Sequence, residues 1–282
     1  MASRRDNADA GREDGEADAA AVRRAVFAGA DWPAQNDPLV LVLVYLLAVS
    51  ALFVLLPGLD LWVSGLFYRG DTFPATAVER LVRLRFLGDR LVILVVVVLA
   101  ASLVAKVIWP LRPIAIRPRA TAFLLASLAL GPGLVVNGLF KSLSGRPRPV
   151  AVDVFGGPSP FVPAWRFSDH CASNCSFISG EASSALWLLG VVMLAPRGLR
   201  LWLGVPAALL VLALSLNRIA FGGHFASDVL ISFGFTALVM LVAYRLIVTG
   251  PFGAPIDAAV ERGLADAGLR LRRRLAGWRD SA

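Results

Sequence analysis

Residues 91–105 read LVILVVVVLAASLVA, fifteen positions without a charge, inside an apolar run from 88 to 109. A hydrocarbon core about 30 Å thick takes roughly 20 apolar residues to cross as helix, so the run has the length of a membrane span. Five further runs match it: 38–58, 119–140, 178–196, 201–217 and 226–248. Backbone in lipid must satisfy its own hydrogen bonds, and a helix does so within one segment. The expected fold is therefore all-α, a bundle of six transmembrane helices. Composition agrees, with 57% of the 282 residues hydrophobic and a mean hydropathy of +0.69, against roughly 45–50% apolar in soluble domains.

Working outward from the spans, residues 1–37 are charged and alanine-rich with no apolar stripe, the composition of a disordered tail. Acidic residues crowd this start, so the first span is expected to act as its own signal anchor rather than as a cleaved leader. The membrane domain is expected over 38–250. Residues 251–282 form a basic tail in which Leu264, Leu271, Leu275 and Trp278 share one helical face. A basic amphipathic helix beside a membrane rests on anionic lipid. The net charge of +8 is accordingly read as contact with membrane lipids, and no nucleic-acid partner is expected. Between the first two spans, LDLWVSGLFY and AVERLVRLRFLGD are amphipathic and suit the outer interface. Oligomeric state is left open.

Six spans put both termini on one side. That side carries 18 of the 28 Lys and Arg residues, among them Arg23, Lys106, Arg119, Arg197 and Arg273. The positive-inside rule makes it cytoplasmic, although Arg69, Arg80, Arg83, Arg85 and Arg90 in the first outer loop run against the count.

Three polar islands interrupt the apolar pattern, all on the outer side: KSLSGRPRP (141–149), SFISGEAS (176–183) and NRIAFGGHFASD (217–228). A charge at bilayer depth costs about 2.5–3.5 kcal/mol, and a single arginine at a span end is usually a snorkelling anchor. Three islands of matching chemistry on one face make a stronger case. Pooled, they offer Lys141, Arg146, Arg148 and Arg218 as cations, with Ser179 and Gly180 at a helix start. Arginine forks, a lysine point charge and helix N–H groups all suit phosphate oxygens. His224 and Asp228 lie four apart, which on a helix puts them on one face. A carboxylate holding one imidazole nitrogen frees the other as nucleophile or base. The set reads as phosphoryl transfer without a metal or other cofactor. Cys171 and Cys175, the only cysteines, lie on the oxidising side, where they form a disulfide or stand as two structural thiols. Zinc is not expected, since it takes four ligands and the chain has two histidines.

At these residues the chain resembles the type-2 phosphatidate phosphatase superfamily, which includes the vanadium haloperoxidases. Its signature runs K-x6-R-P, then P-S-G-H, then S-R-x5-H-x3-D. Lys141 with Arg148-Pro149 matches the first part, Ser179-Gly180 the middle of the second, and Arg218, His224 and Asp228 the third. The resemblance implies the family's helical core. It implies that His224 attacks phosphorus and carries a phosphohistidine, with Asp228 orienting it. Lys141, Arg148, Arg218, Ser179 and the Gly180 amide would hold the phosphate oxygens. Asn217 stands in place of the family's Ser, Ile178 of its Pro, and Glu181 of the His that protonates the leaving group. Glu181 is the expected acid or water-positioning group, with His170 as the alternative acid. The expected function is a lipid phosphomonoesterase of the bacterial inner membrane with its site facing the periplasm. Candidate substrates are lipid A, phosphatidylglycerophosphate, phosphatidate and undecaprenyl diphosphate. The rival readings are a haloperoxidase and a non-catalytic lipid-binding or transport protein with a worn site.

Overall fold

A computed structural model of the protein describes residues 37–279; of the tail expected over 1–37, all but Asp37 lies outside them. Nine helices carry the described chain: α1 Pro38–Leu55, α2 Gly58–Gly65, α3 Glu79–Ile108, α4 Pro118–Leu143, α5 Gly180–Trp187, α6 Leu189–Leu194, α7 Arg197–Ala220, α8 Ala226–Val248 and α9 Gly253–Arg279, besides short 3-10 turns. Extended backbone pairs among the described residues only at two isolated bridges, Arg69–Thr72 and Val152–Ser159. The fold is all-α.

Five helices, α1, α3, α4, α7 and α8, are long and apolar enough to cross a membrane. Their large side chains face outward instead of into a core: Leu41, Leu47 and Leu55 on α1, Ile93 and Val97 on α3, and Leu201, Trp202 and Leu209 on α7 are all exposed. Lipid supplies the apolar surroundings that water would refuse. The protein is a multi-pass membrane protein.

The segment expected as a fourth span is divided into α5 and α6. Leu188 separates them, its N–H bonded to the Ala185 carbonyl in a tightened turn. Ala195 is extended ahead of Pro196, as a residue before proline prefers. Gly180–Leu194 extends roughly 22 Å as helix, shorter than the five long spans, and is compatible with a sixth, divided crossing. At the other extreme, most of the stretch over 77–89 expected along the interface, from Glu79 on, is continuous with its span. The 30 residues of α3 reach about 45 Å, so its first turns, with Arg80, Arg83, Arg85 and Arg90, extend past the hydrocarbon.

The chain divides into two compact units. Residues 38–100 and 124–240 form one, which holds all the candidate site residues. Its core gathers Leu46, Phe53, Val136, Phe177, Ile178, Ala182, Ile219, Val229 and Ile231. Small residues on α5 allow close helix approach: Ala182, Ser183 and Ala185 are buried, and Ser183 Oγ lies 2.6 Å from Thr236 Oγ1 of α8. Trp187 seats its indole N–H on the Leu124 carbonyl, 3.0 Å away. The second unit comprises Asp37, 101–123 and 241 onward. There Arg119 Nε meets Asp257 Oδ2 at 2.5 Å and Lys106 Nζ meets Glu261 Oε1 at 3.3 Å, fixing α9 to the ends of α3 and α4. Leu271 and Leu275 of α9 remain exposed; the Trp278 side chain lies outside the described set.

Candidate active site

His224 does not lie on a helix with Asp228. The chain leaves α7 at Ala220, turns through Phe221–Phe225, and re-enters helix only at Ala226. Gly222 makes the turn with φ of 62°. A Cβ there would stand 2.6 Å from the Phe73 ring, so only glycine fits. Asp228 sits in the first turn of α8 and accepts the Phe225 N–H on Oδ2 at 2.8 Å. That is the return bond of a capping box.

The imidazole of His224 is buried, and its Nδ1 lies 2.8 Å from the carbonyl oxygen of Ser176. Its distance to Asp228 Oδ2 is 3.9 Å. The expected direct His–Asp hydrogen bond is therefore replaced, because the carboxylate is otherwise engaged. Asp228 Oδ1 accepts from Arg146 Nη1 at 2.6 Å, and Oδ2 accepts from Ser176 Oγ at 2.5 Å. Ser176 links the two groups, hydroxyl to Asp228 and carbonyl to His224. A carbonyl can only accept, so Nδ1 carries the proton and Nε2 holds the lone pair. Burial, then the charges of Arg218, Lys141 and Arg148, push the His224 pKa well below its ordinary value, with the Ser176 bond acting in the opposite sense. The ring stays neutral where an exposed histidine would be protonated.

Arg146 is not one of the available cations. It is fully buried, and its donors are spent on the Val162 carbonyl (2.8 Å), Ser227 Oγ (2.8 Å), Asp228 (2.6 Å) and Asp60 Oδ2 (2.8 Å). The Phe225 ring lies 4.3 Å from its Cζ. Asp60, from α2, also accepts from the Ser227 N–H and hydroxyl. Two carboxylates thus share one buried guanidinium, which ties α2 to the base of the site.

The remaining cations converge on the start of α5. In α4, Pro132 lacks the N–H a regular helix needs, and residues Ala129–Phe140 run as π-helix. Asn137 covers the Pro132 carbonyl from its side-chain amide, 2.7 Å away. Wide turns of this kind re-aim the side chains beyond them, here Lys141. A Cβ on Gly180 would stand 2.6 Å from Asn137 Oδ1 and 3.2 Å from Lys141 Nζ, so the glycine is what lets the ammonium reach the helix start. Ser179 caps α5, its Oγ accepting the Ala182 N–H at 3.2 Å; its own hydroxyl proton is left for another acceptor. Arg148 forks onto the Asn174 carbonyl with Nε at 3.2 Å and Nη2 at 3.0 Å, and Lys141 Nζ lies 3.4 Å from Asn174 Oδ1. Burial and then the neighbouring Arg85 lower the Arg148 pKa.

Glu181 is held between arginines. Oε1 lies 3.2 Å from Arg85 Nε, and Oε2 pairs with Arg218 Nε. A carboxylate between two guanidinium groups serves as an ion-pair acceptor, which speaks against the donor role expected of it. Arg218 Nη1 is buried with no hydrogen-bond partner among the described residues. His170 is exposed, 3.8 Å from Asp169, and lines a cleft of about 400 Å³ with Arg148, Val150, Cys171 and Asn174. Cys171 and Cys175 form a disulfide that closes the loop bearing Asn174.

Sequence reasoning passed over Asp60, Ser176 and Asn174. A lone carboxylate in the apolar stretch LDLWVSG was the available signal for Asp60, since such charges are expensive without a partner. Ser176 meets His224 through its backbone carbonyl, for which residue type gives no sign.

A family model described as the PAP2 superfamily matches residues 120–250. The "Lipid A 4'-phosphatase" of Rhizobium etli is 36% identical over 216 residues, 72% of this chain and 83% of the relative. That of Rhizobium leguminosarum is 34% identical, covering 70% and 90%, and that of Francisella tularensis subsp. novicida is 41% identical, covering 45% and 58%. No solved structure matches the chain significantly. Identity at this level over most of two relatives, together with the gathered motifs, decides the kinship: the chain belongs to the PAP2 superfamily and is a membrane lipid phosphatase, a phosphoric monoester hydrolase.

Proposed function

We propose that this phosphatase removes a phosphate monoester from a lipid A-type substrate at the periplasmic face of the bacterial inner membrane, through a phosphohistidine at His224. The observation that carries the reading is the Ser176 carbonyl on His224 Nδ1. It commits Nε2 to the attack, beneath the three cations that most affect the ring, Arg218, Lys141 and Arg148. Those groups, with Ser179 and the Gly180 amide, stabilise charge spread over the equatorial oxygens during transfer. Glu181 acts as a carboxylate, holding Arg218 and accepting from the water that later hydrolyses the phosphohistidine. Kinship to lipid A 4'-phosphatases favours lipid A over the other lipid phosphates. A periplasmic site is supported by the arginine bias and by the Cys171–Cys175 disulfide, which belongs to an oxidising compartment. The basic helix α9 lies on the anionic inner leaflet, beyond a membrane domain of residues 38–250.

Purified protein should convert lipid A to a species lighter by one phosphate group in mass spectra, faster than it hydrolyses phosphatidate. Preference for phosphatidate would defeat the substrate assignment. For orientation, a cysteine at Ser159 in a Cys-free variant should react with an impermeant thiol reagent in intact spheroplasts, and one at Gly198 only after lysis. The opposite pattern would put the site in the cytoplasm.

A further inference from the structure

We infer that Arg85 is a positioning residue for Arg218, acting through the Glu181 carboxylate; this rests on the proposed role of Arg218 in binding phosphate. Arg85 stands on α3, outside the 120–250 match to the family model, among arginines that otherwise look like interfacial anchors. Arg83, two residues earlier, behaves as an anchor should: it is exposed and, among the described residues, pairs with Glu79 one turn away. Arg85 is turned inward instead, half-buried, with Nε 3.2 Å from Glu181 Oε1.

The geometry explains why this contact reaches the site. Glu181 bridges the two guanidinium groups, one on each oxygen. Glu181 Oε2 and Arg218 Nε form a buried ion pair without a regular hydrogen bond, which holds one edge of the Arg218 fork while Nη1 stays buried and unpartnered among the described residues. An arginine fork with one edge anchored and a donor free is pre-organised for an incoming phosphate oxygen. A buried donor left without a partner is destabilising, and the phosphate oxygen would satisfy it.

The α3–α7 packing holds this bridge in register. Asn217, the residue before Arg218, donates from Nδ2 to the Leu81 carbonyl at 3.0 Å, one helical turn before Arg85. One turn further along, Gly88 packs against Leu214, where an added Cβ would stand 3.2 Å from Cδ1. The first turns of α3 are thus clamped to the last turns of α7 on both sides of Arg85. Arg85 also belongs to the site electrically, since after burial it is the main influence disfavouring the charge on Arg148.

The test uses the full chain in detergent micelles, with a lipid phosphate monoester as substrate and inorganic orthophosphate as competitive inhibitor. Arg85→Ala should raise KM and the orthophosphate inhibition constant about tenfold, the size of a direct coupling between contacting groups. Arg85→Lys should restore part of the loss. In a Glu181→Gln background, adding Arg85→Ala should cost less than about twofold, because the route to Arg218 is already cut. A purely structural role would lower the active fraction and kcat and leave the inhibition constant unmoved. Should Arg85→Ala fail to give monodisperse protein, Arg85→Gln carries the same comparison. An undiminished tenfold cost in the Glu181→Gln background would mean that Arg85 touches phosphate itself, and would overturn the inference. So would an Arg85→Ala enzyme equal to wild type. If wild-type protein releases no phosphate from any lipid monoester, the proposed function falls and takes this inference with it; wild-type turnover with indifferent Arg85 variants defeats the inference alone.

Discussion

His224 Nδ1 lies 2.8 Å from the carbonyl oxygen of Ser176, and the Ser176 hydroxyl lies 2.5 Å from Asp228. One residue thus stands between the nucleophile and the carboxylate that the motif pairs with it. The carboxylate steadies the ring through a neighbour's backbone. Ser176→Ala keeps the carbonyl and removes only the hydroxyl bond to the Asp228 carboxylate, worth about 1.5–3 kcal/mol, so turnover should fall but not vanish. Asp228→Asn also removes one of the two carboxylates that balance Arg146, and its turnover should fall much further. His224→Ala should lose turnover by a factor on the order of 10³ or more. Steady-state phosphate release by the three variants checks the order.

Arg146 and Lys141 come from one nine-residue motif yet should fail in different ways. Arg146→Ala leaves Asp60 and Asp228 buried without their counter-charge, a loss of about 3–5 kcal/mol. It should therefore prevent accumulation of folded protein. Lys141→Ala should fold and instead bind phosphate weakly. Detergent melting temperatures beside orthophosphate inhibition would separate the two.

The acid limb of the pH–rate profile should lie below the ordinary histidine range. Catalysis needs neutral His224, and burial with nearby cations pushes its pKa well down. Turnover should therefore persist as pH falls through about 6.5, once the substrate's own ionisation near about 6 is divided out. Linkage has the same sign: the stability contributed by this neutral buried ring is present above the unfolded value and is lost as pH falls toward the folded one. A limb at the ordinary histidine value would show that the ring is not shielded as described.

Glu181→Gln should slow hydrolysis of a lipid phosphomonoester and of p-nitrophenyl phosphate alike. A proton donor matters most for a poor leaving group, whereas a residue that holds Arg218 matters for every phosphate. Selective loss on the lipid substrate would restore the acid role to Glu181. Leaving-group dependence that appears only in His170→Ala would assign it to His170.

Much of the site was legible because its chemistry is spaced along the chain. Lys141, Arg148, Arg218 and His224 are costly in an apolar sequence, and their intervals alone bring them to one end of three helices. Asp60 and Ser176 were not legible, since a buried arginine's partner and a carbonyl's direction are products of tertiary packing. Arg146 misled because charge shows in sequence and burial does not. The interval from His224 to Asp228 suggested a shared helical face, but the helix begins at Ala226 and the histidine lies in the turn before it. For the fold, five spans read cleanly from apolar length; Gly180–Leu194 read as a sixth, with which the fold is compatible, but its division and short length did not show. Its small, buried residues are chosen for packing against helices, a demand that hydropathy does not distinguish from lipid contact.

The most direct test is to quench the enzyme with its lipid substrate in mid-turnover and locate the phosphoryl group by peptide mapping under alkaline conditions. With Nδ1 committed to Ser176, the label should be found on His224, and on Nε2 of the ring. No phosphoenzyme, a label on another residue, or the Nδ1 isomer would contradict the mechanism drawn from this geometry.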